Sequence, residues 1–301
     1  MGNEKGIILA VSAALISGFS VFMNGVAVSQ ADPFVYTTIK GIFALIFLVA
    51  CAMILKEMKN FRSLSSKQWG MLVLIGLIGG SVPFLMFFWG LKLGGAAVSS
   101  FIYRSLFIFA GVFGYLVLKE RPSRTDFLAA TAILIGNALL VSGNLSFGLG
   151  QMLVLGATVL WALEYTISRK VMADVHPRVV MISRMFFGSL ILLGFLAATG
   201  SLGSLMPAST TSLMWLLVTS GLLFAFLSAW YFTLKYLPVF KAACIFTIGG
   251  VVTAALNLVF LGQAVSLTEA FALLVILAGA LAMIGFSDIV RSIRLLPGLV
   301  G

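Results

Sequence analysis

The sequence is poor in charge. Only 9% of its 301 residues are Asp, Glu, Lys or Arg, whereas 61% are hydrophobic. A soluble domain carries about 25% charged residues, so this composition excludes a water-soluble globular fold. The two cysteines, Cys51 and Cys244, lie in separate apolar runs, which excludes a disulfide framework and a cysteine-based metal site. We therefore expect an integral membrane protein.

Catalytic motifs are also missing. The sequence has no P-loop, no HExxH zinc motif and no GxSxG elbow beside a histidine and an acid. We expect no enzyme, no bound cofactor or metal, and no ATP-driven pump. The formal net charge of +10 is typical of membrane proteins with basic cytoplasmic loops. The expected partners are the lipid bilayer and a small-molecule substrate, with no nucleic acid; the pattern predicts no oligomeric state.

Long apolar runs fill the chain. Turn and charge signals separate ten of them, at residues 6–29, 33–55, 69–91, 96–118, 126–143, 150–169, 178–199, 212–234, 241–261 and 268–287. Each is longer than the ~9–11 residues of a barrel strand, and a helix satisfies its own backbone groups in lipid. The first run also exceeds the ~7–15 apolar residues of a signal peptide. We predict ten transmembrane helices and no cleaved leader.

Basic residues fall in alternate loops between these runs. They are Lys56, Lys59, Arg62, Lys67, Lys119, Arg121, Arg124, Arg169, Lys170, Arg178, Lys235 and Lys241, with Arg291 and Arg294 after the last run. The other loops hold almost no charge beyond Asp32 and Lys92. The positive-inside rule then predicts a protein of the cell membrane with both termini in the cytoplasm.

The two halves of the chain resemble each other. A shift of 143 or 144 residues pairs Leu91–Lys92 with Leu234–Lys235, Ser123 with Ser266, Gly136 with Gly279, Pro33 with Pro177, and Lys40 with Arg184. We predict two repeats, residues 1–145 and 146–301 with a short cytoplasmic tail, forming one structural unit. Because five spans is an odd number, the second copy enters the membrane inverted. Inverted repeats are typical of secondary transporters that work by alternating access around a site near the midplane.

The junction between the fourth and fifth spans reads LVLKERPSRTDFLAATAILIGNALLVSG. With ten spans in two halves, it resembles the drug/metabolite transporter superfamily, EamA type, through Glu120 in the turn and Gly136 in the fifth helix. The second copy keeps Gly279 but has Gln263 where the family usually has Glu. The resemblance covers the whole chain. It implies a central cavity lined by helices one to four and six to nine, and a substrate among amino acids, other metabolites or drugs.

Four ionisable residues lie inside predicted spans: Lys40, Arg104, Glu164 and Arg184. Each costs about 2.5–3.5 kcal/mol at a helix centre, so such residues face a cavity or one another. Lys40 and Arg184 fit the family pattern of a basic residue early in the second helix of each half, where Arg is commoner. We expect Lys40 nearer the outside as a substrate ligand, and Arg184 nearer the cytoplasm as a gate. Packing or snorkelling is the alternative for both.

Arg104 lies about eight residues into the fourth span, roughly 12 Å along a helix. Helical spacing places it on one face with Ala97, Phe101, Ile108, Gly111 and Tyr115. A guanidinium there suits bidentate binding of a substrate carboxylate or phosphate, with Phe101 beside it. The alternatives are a structural pair with Glu164, capping of backbone carbonyls, and snorkelling to the interface.

Glu164 is the only carboxylate deep in a predicted span. It is a candidate for binding a substrate amine or carrying a coupling proton, or else it is the counter-ion of Arg104 or Lys40. Trp161 and Tyr165 flank it one turn apart and, with Tyr103, are candidates for the wall of a cavity that accepts an apolar group.

Three buried cations against one acid favour a substrate with an anionic group. With Glu164 and the aromatic residues, they favour a zwitterion. The sequence thus predicts a secondary transporter of amino acids or related zwitterions and anions, with export as the expected direction. Two alternatives stay open: an exporter of cationic or amphipathic drugs, and a receptor or scaffold that transports nothing.

Overall fold

The chain folds into helices throughout its described part. The structure, a computed structural model, describes residues 2–28, 32–94, 96–140, 148–205, 209–263 and 265–285. The α-helices are α1 Gly2–Val28, α2 Pro33–Ile54, α3 Ser66–Gly80, α4 Val82–Gly94, α5 Ala96–Arg104, α6 Leu106–Leu118, α7 Arg124–Leu140, α8 Leu149–Val171, α9 Pro177–Ala198, α10 Thr210–Tyr236, α11 Val239–Phe246, α12 Ile248–Leu261 and α13 Leu267–Ile284. Short 3₁₀ helices at Glu57–Phe61 and Leu202–Leu205 lie in connections.

The described residues form ten spans. Nine segments of the described chain are long and apolar enough to cross a membrane. The 17-residue α7 is the tenth, since about 17 residues is the lower limit for a span. The prediction of an all-α membrane protein with ten spans in two five-helix repeats is confirmed. The predicted span ends at 29, 143 and 287, and Arg291 and Arg294, lie outside the described residues.

Three spans that read as continuous in the sequence are interrupted. The breaks lie at Ser81, Ser105 and Thr247. Each hydroxyl donates to a carbonyl of the preceding turn: Ser81 to Leu77 at 2.9 Å, Ser105 to Ile102 at 2.6 Å, and Thr247 to Cys244 at 2.6 Å. Such bonds compete with the regular helical ladder.

The break at Ser105 changes the expected helix face around Arg104. Arg104 is the last residue of α5, so the residues after it belong to a separate helix. Ile108 and Tyr115 of α6 are 38% and 54% exposed and point away from the interior. The prediction of one continuous face through Arg104 is wrong because the helix does not continue through Ser105.

Corresponding turns in the two halves have the same geometry. Lys119 and Gly262 both adopt left-handed backbone, with φ of 58° and 63°. The next residue in each copy donates its N–H back to the helix end: Glu120 to Gly114 at 3.1 Å and Gln263 to Asn257 at 3.4 Å. These equivalences follow the shift of 143 residues found in the sequence.

The crossing of α7 and α13 shows the two-fold relation between the copies. A Cβ atom at Gly136 would lie 2.6 Å from Cγ1 of Ile276 and 2.8 Å from the carbonyl oxygen of Ala272. A Cβ at Gly279 would lie 2.8 Å from both Cγ1 of Ile133 and the carbonyl oxygen of Ala129. The contacts are repeat mates of each other, so glycine is required on both sides of the crossing.

The helices that surround the interior come from both halves. α1 packs against α10 and α12, α2 against α9 and α10, and α4 against α8. α7 packs chiefly against α13. The central helices are therefore α1, α2, α4, α8, α9 and α10, and the last span of each half lies beside that centre.

We expect Gly136→Ala to lower the free energy of unfolding by about 1–3 kcal/mol, because the added methyl group overpacks the crossing against a backbone carbonyl. Thermal unfolding of the purified protein in detergent measures this change. Gly221→Ala is the matched control, since a Cβ at Gly221 of α10 meets no atom within 4 Å. Equal stability of the two variants would contradict the proposed close crossing.

Candidate functional site

A central cavity of about 90 Å³ lies between the two halves. α1, α2, α4 and α5 of the first half and α8, α9 and α10 of the second half contribute to its wall. The ionisable or hydroxyl-bearing residues in the wall are Ser17, Ser20, Lys40, Tyr103, Tyr165 and Arg184. Lys40, Arg184, Trp161, Tyr165 and Tyr103, singled out from the sequence, are thus brought together.

Lys40 is a buried cation in this wall, 4% exposed. Its Nζ donates to Oδ1 of Asn24 at 2.9 Å. The same oxygen accepts from the hydroxyl of Tyr36 at 3.2 Å, and Nδ2 of Asn24 donates to Ser20 at 3.1 Å. Within the described part of the chain, Lys40 forms no salt bridge. Its charge therefore meets a neutral amide rather than a carboxylate.

The polar edge of α1 was missed in the sequence. Ser17, Ser20 and Asn24 all line the cavity. Their spacing of three and four residues places them on one side of a helix, which is the signal that would have found them in an otherwise apolar span.

Aromatic rings form the wall around Trp161. Its ring centroid lies 5.3 Å from those of Phe84 and Phe87 and 5.2 Å from that of Tyr103. The indole Nε1–H of Trp161 donates to the carbonyl of Gly79 at 3.0 Å, which fixes the ring. A rigid cluster of this kind presents π faces and apolar edges to the cavity.

Glu164 is fully buried and pairs with Arg184. Nε of Arg184 lies 3.6 Å from Oε2 of Glu164. The other oxygen, Oε1, accepts hydrogen bonds from Ser168 at 2.5 Å and from Tyr231 at 2.6 Å. The interpretation of Glu164 as the counter-ion of Arg104 or Lys40 is therefore wrong. The cation beside Glu164 of α8 is Arg184 of α9, not a residue of α2 or α5.

Arg104 lies outside the set of residues that line the cavity. Its NH1 donates to the carbonyl of Thr247 at 3.5 Å, at the break between α11 and α12. A Cβ at Gly250 would lie 2.5 Å from Nε of Arg104, so the side chain passes over a glycine of α12. Phe101 is half-buried and is likewise not a lining residue. The substrate roles of Arg104 and Phe101 stay predictions.

An ion pair links the halves on the face of the bundle that carries the basic loops, hereafter the basic face. Nε of Arg169 lies 2.7 Å from Oε1 of Glu120, and its NH1 donates to the carbonyls of Leu234 and Leu237. Glu120 Oε2 accepts from the N–H of Val239 at 3.0 Å. Burial raises the pKa of the Glu120 carboxyl, while Arg169 opposes that rise. We call this group the Glu120–Arg169 clasp.

A second ion pair lies on the same face. Nε of Arg178 lies 2.9 Å from Oε2 of Glu57. His176 Nε2 lies 4.0 Å from the same carboxylate, and burial lowers the pKa of His176. Two ion pairs between segments from different halves thus lie on the basic face.

Comparisons with known proteins agree with this architecture. None of the curated proteins matches the chain, whereas 29 chains of solved structures do. One of them, described as "Crystal structure of protein", is 16% identical, with a TM-score of 0.75 over 92% of this chain and 96% of that chain; it supports the fold alone. The model of the EamA-like transporter family matches twice, at residues 4–142 and 148–285. The chain therefore belongs to the EamA-like transporter family and is a multi-pass membrane transporter of the drug/metabolite transporter superfamily.

Proposed function

We propose that the protein moves small zwitterionic or anionic metabolites, such as amino acids with an apolar side chain, across the cell membrane by alternating access. One observation carries the proposal: the wall of the cavity between the halves contains both Lys40, which has no salt bridge among the described residues, and the aromatic cluster around Trp161. A carboxylate suits the ammonium group, and an apolar group suits the rings.

The second charge of a zwitterion needs a partner other than Glu164. Both oxygens of Glu164 face groups of the protein, namely Ser168, Tyr231 and Arg184. An ammonium group is instead attracted by the π faces of Trp161 and its neighbours. Glu164 remains the candidate for a coupling proton, because it is a buried carboxylate 3.6 Å from the lining residue Arg184.

The charge of the cavity disfavours the drug-exporter alternative. Lys40 in its wall repels a cationic ligand. A substrate with a negative group fits this observation.

The clasp on the basic face supports alternating access. The Glu120–Arg169 and Glu57–Arg178 pairs join the two halves at that face, which the positive-inside rule assigns to the cytoplasm together with both termini. Lys40 lies about 10 Å from the opposite end of α2, and Arg184 lies as far from the end of α9 on the basic face, so the cavity lies near the middle of the bundle. Inward opening requires these ion pairs to separate. Release of substrate on the outer side makes export the proposed direction, with Arg184 as the gate residue on the cytoplasmic side of the cavity.

Counterflow in proteoliposomes tests the substrate class. The panel is L-leucine, 4-methylpentanoate, leucinol and a cationic dye. 4-Methylpentanoate lacks the amine of leucine, leucinol lacks its carboxylate, and the dye tests a larger cation. We expect exchange of leucine or 4-methylpentanoate and no exchange of leucinol or the dye. Exchange of the dye alone would establish the drug-exporter alternative, and no exchange of any compound would favour a receptor or scaffold.

We expect Lys40→Gln to raise KM for carboxylate substrates about 10- to 100-fold, because it removes a charged hydrogen bond worth about 1.5–3 kcal/mol. Initial rates of counterflow across substrate concentrations measure KM. Lys92→Gln, which removes an exposed lysine at the end of α4, is the matched control and should leave KM unchanged. An unchanged KM in Lys40→Gln would remove Lys40 from the site.

We expect Arg169→Gln to raise the rate at which a maleimide labels Cys244 about tenfold. Loss of the clasp favours the state that is open at the basic face by about the free energy of one charged hydrogen bond. Cys244 is fully buried in α11, and Cys51→Ser removes the other thiol. Lys170→Gln neutralises the exposed neighbour of Arg169 and should leave the rate unchanged. Equal rates in the two variants would show that the clasp does not hold this face closed.

A further inference from the structure

Arg184 is buried yet incompletely bonded. Its side chain is 2% exposed, and its NH2 donates to the carbonyl of Gly79 at 2.8 Å. Among the described residues, neither Nε nor NH1 of Arg184 has a hydrogen-bond partner. Buried donors without a partner cost about 1–3 kcal/mol each, and more when charged, so this guanidinium calls for a physical explanation.

The pair with Glu164 does not supply the missing bonds. The separation of 3.6 Å between Nε of Arg184 and Oε2 of Glu164 is too long for a hydrogen bond. Oε2 of Glu164 likewise has no hydrogen-bond partner among the described residues. Its other oxygen is held by Ser168 and Tyr231, which keeps the carboxylate from moving onto the guanidinium. The two charges attract each other without forming the bidentate pair that an arginine and a carboxylate otherwise favour.

The unpartnered guanidinium faces the cavity. Arg184 is a lining residue together with Lys40, its repeat mate under the shift of 144 residues. The ring centroids of Phe84 and Tyr231 lie 5.6 and 5.9 Å from its Cζ. Because these rings lie over the guanidinium, an acceptor for its unbonded N–H groups would lie in the guanidinium plane. Each half therefore contributes one cation to a single cavity.

We propose that Arg184 is a second anion subsite, which binds the carboxylate of a small organic anion in competition with Glu164. The ligand carboxylate accepts from NH1 and replaces the long contact with Glu164. Protonation of Glu164 removes the competitor and so strengthens anion binding. The ligand class rests on the proposed function, whereas the subsite itself rests on the unpartnered N–H groups of Arg184.

Acetate and its neutral analogue acetamide serve as probes, added to the purified full chain in detergent at constant ionic strength. The midpoint of thermal unfolding at increasing probe concentration gives an apparent affinity. We expect Glu164→Gln to bind acetate about tenfold more tightly than the parent chain, a typical size for coupling between two sites. Acetamide should have no effect on either protein.

Added substitutions in the Glu164→Gln background identify the cation. We expect Arg184→Gln to abolish the gain in acetate affinity. Arg184→Lys, which keeps a charge and is the second variant should Arg184→Gln fail to fold, should retain only part of it. Lys40→Gln in the same background should keep the gain. Absence of acetate binding in Glu164→Gln, or a gain that survives Arg184→Gln, would overturn the subsite.

The counterflow panel separates this inference from the proposed function. Acetate binding that depends on Arg184, without exchange of any carboxylate in proteoliposomes, would support the subsite and refute the proposed transport. Exchange of carboxylates with an unchanged acetate affinity in Glu164→Gln would support the proposed transport and refute the subsite.

Discussion

A charge inside a membrane protein must be met by an opposite charge or by hydrogen bonds, because the hydrocarbon around it offers neither. The buried cations of this transporter meet that constraint in three ways. Arg184 faces a carboxylate, Arg104 reaches a backbone carbonyl, and Lys40 reaches a side-chain amide. The partner therefore differs in charge and strength in each case.

Arg104 shows how a helix break and a buried charge support each other. Thr247 lies where the ninth span leaves its regular ladder, and its carbonyl accepts from Arg104. The same carbonyl accepts from the N–H of Gly250 at 2.9 Å, so Arg104 is a second donor to it. The close approach is possible because Gly250 has no side chain to block the guanidinium. An arginine that reads as a ligand in the sequence is thereby placed at the junction between halves.

Sequence alone predicted the number of spans, the repeat and five residues of the cavity wall, since apolar length, loop charge and matched Pro and Gly positions can be read from the sequence. It did not predict the breaks at Ser81, Ser105 and Thr247, because a hydroxyl that bonds to its own helix looks like any other small polar residue in an apolar run. It also missed the pairing of Glu164 with Arg184. Which face of one helix meets which face of another depends on rotations about helix axes that spacing does not fix.

The turn after the fourth span has the same backbone geometry in both repeats but carries different side chains. On the basic face Glu120 follows Lys119 and meets Arg169, whereas in the other copy Gln263 follows Gly262 and the position matched to Arg169 is Gly25. An inverted pair of identical copies would seal both sides with equal strength. Among the described residues, this ion pair belongs to one side alone, so the two ends of the bundle are held by different side chains on the same backbone geometry.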